Sequence, residues 1–117
     1  MSKRILIVDD SSMMRKMISK ILRMPGHIIV GEAKSGEEAV ELYKSLKPDI
    51  VTMDITMRDM DGLTAAQEIL NFDNTARIVF LSNLDEEKYL EEVKRLGGVG
   101  FVNKHNQKGI LEIISKP

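Results

Sequence analysis

The chain has no cysteine among its 117 residues. Disulfides, thiolate catalysis and cysteine-based zinc sites are excluded on that ground alone. It also lacks a surplus of either charge, since 17 basic residues stand against 18 acidic ones and the net charge is −1. A nucleic acid or an anionic membrane as the main partner therefore has no electrostatic support. No apolar run approaches the length that spans a bilayer, and no signal peptide is visible, so the expected location is cytoplasmic. Internal repeats, low-complexity tracts and linkers are missing too, which leaves residues 1–117 to be read as one domain.

Hydrophobic residues make up 43% of the chain and charged residues 30%, ordinary values for a globular protein with a core. The pattern alternates strand and helix five times. Residues 4–8 (RILIV) are a continuous apolar run, the pattern of a strand buried on both faces, and 28–33, 50–53, 77–82 and 99–103 read as four further strands. Between them, apolar residues recur at helical spacing: Met14, Met17, Ile18, Ile21 and Leu22; then Ala39, Val40, Tyr43 and Leu46. Leu63, Ala66, Ile69 and Leu70 follow, and then Tyr89, Leu90, Val93 and Leu96. A short last helix is expected over about 107–115. Ser11 or Ser12 caps the first helix and Pro25-Gly26 stops it. Asp85-Glu86-Glu87 places acids on the first turn of the fourth, and Gly97-Gly98 ends it. Such alternation implies right-handed crossovers and an α/β architecture, a doubly wound five-stranded parallel sheet with helices on both faces.

The ends of the strands carry the polar residues. The first ends in Asp9-Asp10, the third in Asp54, the fourth in Ser82, and the fifth runs to Lys104. An ionised carboxylate inside a strand core is very costly, whereas at the carboxyl end it faces the crevice where α/β proteins place their chemistry. In strand order 2-1-3-4-5 these four ends are neighbours. Three carboxylates brought together repel one another, and a cation relieves that repulsion. Hard oxygen ligands suit Mg²⁺ (or Mn²⁺), with Asp10 and Asp54 as direct ligands, Asp9 acting through water, and the backbone carbonyl of Thr56 adding a further oxygen. Asp54 is then placed as a nucleophile toward phosphorus, with Lys104 and Ser82 to meet phosphoryl oxygens.

Each of these residues has an ordinary reading when taken singly. Asp-Asp before Ser-Ser caps helices, an acid after an apolar strand is a turn residue, and a lone lysine is a solvated charge. Their joint placement at neighbouring strand ends is what points to a site.

The residues Val8-Asp9-Asp10-Ser11, Met53-Asp54-Ile55-Thr56-Met57 with Met60-Asp61-Gly62, Leu81-Ser82, and Phe101-Val102-Asn103-Lys104 resemble, in order and spacing, the receiver domain of two-component response regulators. The resemblance covers the whole length, and the opening VDDSSMMRK is most similar to single-domain chemotaxis receivers. It implies the flavodoxin-like sheet, and the strand order above rests on it as much as on the alternation. It also implies a phosphorelay switch that takes a phosphoryl group from a sensor histidine kinase onto Asp54. Asp9 and Asp10 would be the acidic metal pair, Ser82 the switch hydroxyl, Phe101 the switch aromatic and Lys104 the phosphate partner. No enzymatic activity is implied beyond the domain's own phosphorylation and dephosphorylation. The output would be a downstream target protein bound on the fourth helix, fifth strand and fifth helix, with the chain a monomer or weak dimer that touches neither nucleic acid nor membrane.

Three positions depart from the family pattern. Arg58 and His105 stand where proline is common, and Asn83 stands where a small residue is usual. A non-proline cis bond costs roughly 2.5–4 kcal/mol, so the Lys104-His105 bond is expected to be trans, with Lys104 aimed away from Asp54. Arg58 should put a cation near the site, and Asn83 should narrow access to it. The alternative reading is a degenerate receiver that binds a partner without phosphorylation. An aspartate-nucleophile phosphatase is disfavoured by Thr56, where such enzymes carry a second acid. A flavin site is disfavoured by Asp9-Asp10, which would repel a phosphate.

Overall fold

The computed structural model describes residues 2–97 and 99–117. Met1, Gly98 and the side chains of Leu84, Asp85, Glu87 and Val99 lie outside the described residues. That sets aside Gly98 as a helix stop and Asp85 and Glu87 as helix-dipole acids.

The apolar runs form strands β1 (Arg4–Val8), β2 (Ile28–Ala33), β3 (Ile50–Asp54), β4 (Ile78–Ser82) and β5 (Val99–Asn103). All neighbours pair in parallel, in the order β2-β1-β3-β4-β5. The helices are α1 (Ser12–Arg23), α2 (Gly36–Leu46), α3 (Gly62–Phe72), α4 (Leu90–Leu96) and α5 (Gln107–Ser115). No helix among the described residues is long and apolar enough to cross a membrane.

Strand side chains alternate between two faces, so each apolar run feeds two cores. Leu6, Val8, Val51, Met53, Ile78 and Phe80 meet Ala39, Tyr43, Ala66, Ile69 and Val93 of α2, α3 and α4 on one face. Ile5, Ile7, Ile50, Val79 and Leu81 meet Ile18 and Leu22 of α1 and Ile110 and Ile114 of α5 on the other. At roughly 1.5–3 kcal/mol per fully buried aliphatic side chain, these two layers dominate the favourable side of folding.

The helix starts follow from capping chemistry. Ser11, Ser35, Asp61 and Asn106 each accept an N–H of the first turn, from Met14, Glu38, Thr64 and Gly109 respectively. Gly97, at φ +76°, closes α4 in the left-handed conformation that glycine adopts without strain.

The segment before α4 differs from the sequence expectation. Residues Leu84–Tyr89 wind as a 3-10 turn, and α4 starts only at Leu90, with no side-chain cap at Tyr89. The physical reason lies in Glu86. Its own N–H bonds back three residues to the Asn83 carbonyl at 3.0 Å. Its carboxylate bonds to the Asn83 N–H at 2.6 Å and to the Thr56 hydroxyl across the sheet end. Glu86 is thereby drawn inward rather than left on an α-helical first turn, and the acids of the first turn of α4 are Glu91 and Glu92.

Candidate functional site

The site lies at the carboxyl ends of β1, β3, β4 and β5. Register sets it there: Asp54 sits opposite Leu81 and Ser82 opposite Asn103, while Val8 lies opposite Met53. The polar residues that follow each apolar run therefore emerge side by side.

Asp9, Asp10 and Asp54 each offer a carboxylate oxygen, and these atoms all lie within 4.8 Å of one another. Asp9 and Asp54 are buried and Asp10 is exposed. Consecutive acids thus face different surroundings. Asp9 Oδ1 accepts the Ser11 N–H at 2.9 Å, and the Asp9 carbonyl accepts Arg15 Nη1 at 2.6 Å. Asp9 Oδ2 is buried and accepts no hydrogen bond among the described residues. It lies 3.3 Å from Lys104 Nζ, which is 2.9 Å from Asp54 Oδ1.

Burial is the main force on Asp54, pushing its carboxyl up to about 6. The hydrogen bond from Lys104 pulls the other way, while the charges of Asp9 and Glu86 add to the rise. For Lys104, burial alone would lower the ammonium, but the hydrogen bond and charge of Asp54, with Asp9 behind, hold it above its ordinary value.

Lys104 corrects one expectation. No cis peptide bond occurs among the described residues, so Lys104-His105 is trans as expected. The ammonium nonetheless reaches Asp54. Its aim is set upstream of that bond, because the Lys104 N–H donates to the Ser82 carbonyl at 2.8 Å and continues the β4–β5 pairing. Downstream, the Asn103 side chain takes the His105 N–H at 2.8 Å and Asn106 caps α5. The loop turns away after the lysine has been placed.

The remaining predicted residues are near or flanking. Ser82 is buried at the end of β4. Phe101, on β5, is half-buried and packs against the core on the α2–α4 face. Thr56 is exposed in the loop after β3. Arg58 lines a cleft of about 300 Å³ with Asp10, Lys34, Ser35 and Asp59, which puts a cation in the same cleft as Asp10. Asn83 is exposed, and Glu86 in the same loop is buried.

Glu86 was missed as a site residue, having been read only as a helix-dipole acid. The one available signal was the spacing Asn83-Leu84-Asp85-Glu86, a polar residue followed three places on by glutamate. That spacing predicts the contact to Asn83 but says nothing of Thr56.

The donor set fits a divalent cation. Three carboxylates against one ammonium leave the cluster net negative, and a buried carboxylate oxygen without a hydrogen bond is open to a hard cation.

This sheet and these strand ends define a response regulator receiver domain, and the chain belongs to that family, whose model matches residues 5–115. Among known proteins it is similar to the chemotaxis protein CheY of Thermotoga maritima, 44% identical over 117 residues that cover 99% of this chain and 98% of the relative. CheY of Bacillus subtilis is 45% identical over 117 residues with the same coverage. Among solved structures, the CheX–CheY–BeF3–Mg complex of Borrelia burgdorferi superposes with a TM-score of 0.89 at 37% identity, covering 95% of this chain and 85% of that one. The response regulator domain of Thermotoga maritima CheB gives 0.88 at 33% identity, covering both chains fully at 100%. The chain is thus a two-component signalling domain with chemotaxis relatives, and its aspartate cluster is of the kind receiver domains use for Mg²⁺.

Proposed function

We propose that this chain, residues 1–117 as one receiver domain, is a phosphorylation-operated switch of a chemotaxis-type phosphorelay in the cytoplasm. The observation that carries the reading is the convergence of Asp54 with Asp9, Asp10 and Lys104. A carboxylate oxygen of Asp54 attacks phosphorus of a phosphohistidine on a sensor histidine kinase. A P–O bond forms as the P–N bond breaks, and the released imidazole takes up a proton. Lys104, already poised 2.9 Å from Asp54, moves to a phosphoryl oxygen, and the Ser82 hydroxyl donates to another. Asp10, Asp54 and the Thr56 carbonyl would hold Mg²⁺ or Mn²⁺, with Asp9 through water. The ion would supply charge neutralisation for the incoming group.

Movement of Ser82 toward the phosphoryl group is read out by Phe101, which sits half-buried on the adjacent strand. The altered surface on α4, β5 and α5 then binds a downstream protein, the chain acting as a monomer or weak dimer without direct contact to nucleic acid. Hydrolysis of the acyl phosphate resets the switch, so the chain acts only on its own phosphoryl group.

Acetyl phosphate and Mg²⁺ should add one phosphoryl group to the intact chain, detected by mass. In Asp10→Ala the fold should survive, Mg²⁺ should bind at least roughly tenfold more weakly, and the adduct should vanish. Unchanged Mg²⁺ affinity in that variant would sink the metal assignment. Failure of the wild-type chain to gain the adduct would favour a phosphorylation-independent binding module.

A further inference from the structure

The loop after β4 carries a buried acid that the switch as proposed leaves unused. Glu86 is 4% exposed, unusual for a glutamate that makes no salt bridge among the described residues. Both of its oxygens are held. Oε1 accepts the Asn83 N–H at 2.6 Å, and Oε2 accepts the Thr56 hydroxyl from the loop after β3. The contact to Asn83 is ordinary capping geometry. Capping explains neither the burial nor the second contact, made to the residue two places after Asp54.

A phosphoryl group on Asp54 brings close to two negative charges and needs N–H and O–H donors around it. Asn83 follows Ser82 directly at the mouth of the site, and its N–H is already occupied by a carboxylate. The charge of Glu86 also reaches Asp54, where it opposes further negative charge.

We propose that Glu86 is an internal anion that ties the loop after β4 to the loop after β3 and competes with an incoming phosphoryl group for the Asn83 N–H. Glu86 is thus a positioning residue: it sets how tightly the site takes up that group. The proposal rests on the reading of Asp54 as acceptor. Arrival of the phosphoryl group displaces Glu86, frees Thr56 and loosens the 3-10 turn that leads into α4. Access to the site and the state of the α4 surface are coupled through one side chain.

The test is a titration with beryllofluoride at saturating Mg²⁺, a phosphoryl mimic, followed by binding and by the Asn83 amide resonance. In Glu86→Gln the mimic should bind roughly tenfold more tightly. The Asn83 amide should already be shifted upfield before ligand is added, having lost its carboxylate acceptor. Thr56→Val keeps the shape and the backbone carbonyl and cuts only the second tether, so it should move affinity the same way by less. If Glu86 only caps its turn, both variants melt earlier and bind the mimic equally or more weakly, which overturns the proposal. Binding of equal strength by wild type and both variants overturns it too, while leaving Asp54 as acceptor intact. Binding by none of the three removes the acceptor reading and this proposal with it.

Discussion

Asp54→Asn should take no phosphoryl group from acetyl phosphate, and in metal-free buffer at pH 7 it should be more stable than the wild-type chain. Asparagine keeps the shape of the carboxylate and removes its charge and its nucleophilic oxygen. The stability gain follows from linkage. Burial, opposed in part by Lys104, pushes the Asp54 carboxyl up to about 6 in the folded chain. A carboxyl whose folded value lies above its unfolded value binds more protons when folded. Stability therefore falls as pH rises from near 4 to near 6, and the penalty is fully present at pH 7. A shift of this size corresponds to on the order of 3 kcal/mol. Part of that is offset by leaving Lys104 with Asp9 as its remaining partner. A net gain of about 1–2 kcal/mol, a few degrees in Tm, is expected at pH 7. Well below the ordinary carboxyl value of 3.8, where the carboxyl is protonated in both states, the two proteins should melt together. A variant that melts earlier at pH 7, or an adduct mapped to a different residue, would show the account of Asp54 to be wrong.

Gly62→Ala should destabilise the fold and disable the site together. A Cβ at Gly62 would stand 1.9 Å from the Asp54 carbonyl oxygen, 2.9 Å from its carbonyl carbon and 3.0 Å from Ile55 Cα. All three neighbours are backbone atoms, so no rotamer change can make room. The Gly62 N–H also donates to the Ile55 carbonyl at 2.7 Å, which draws the start of α3 onto the end of β3. Glycine is needed here for space, since its φ lies outside the positive region. Overpacking of this kind costs roughly 1–3 kcal/mol and more when backbone must yield. The expected loss is at the upper end, about 3 kcal/mol, read as a lowered urea midpoint. Because the clash falls on Asp54 itself, phosphoryl acceptance in the folded fraction should drop as well. An unchanged midpoint would mean that the loop has slack.

What could be read in advance came from two kinds of local constraint. Strands buried on both faces must be apolar throughout, and helices that cover them must be apolar on one stripe, so RILIV and the Met14–Leu22 stripe announced their elements. A carboxylate cannot sit unpaired within such a strand, so Asp9 and Asp54 had to mark strand ends. Sequence by itself therefore determined the alternation, the sheet and the end of the sheet at which the charged residues meet. Tertiary structure decided what each of them touches. Asp9 is buried and Asp10 exposed, although they are adjacent and chemically identical, because only Asp9 is turned inward toward Lys104. Lys104 reaches Asp54 despite the trans bond after it, because pairing between β5 and β4 aims it first. Glu86 leaves an α-helical first turn for a 3-10 turn because its partner, Thr56, lies across the sheet end and far away along the chain. Side-chain contacts between loops on separate strands depend on distances that sequence spacing does not encode, and only the packed sheet brings those loops together.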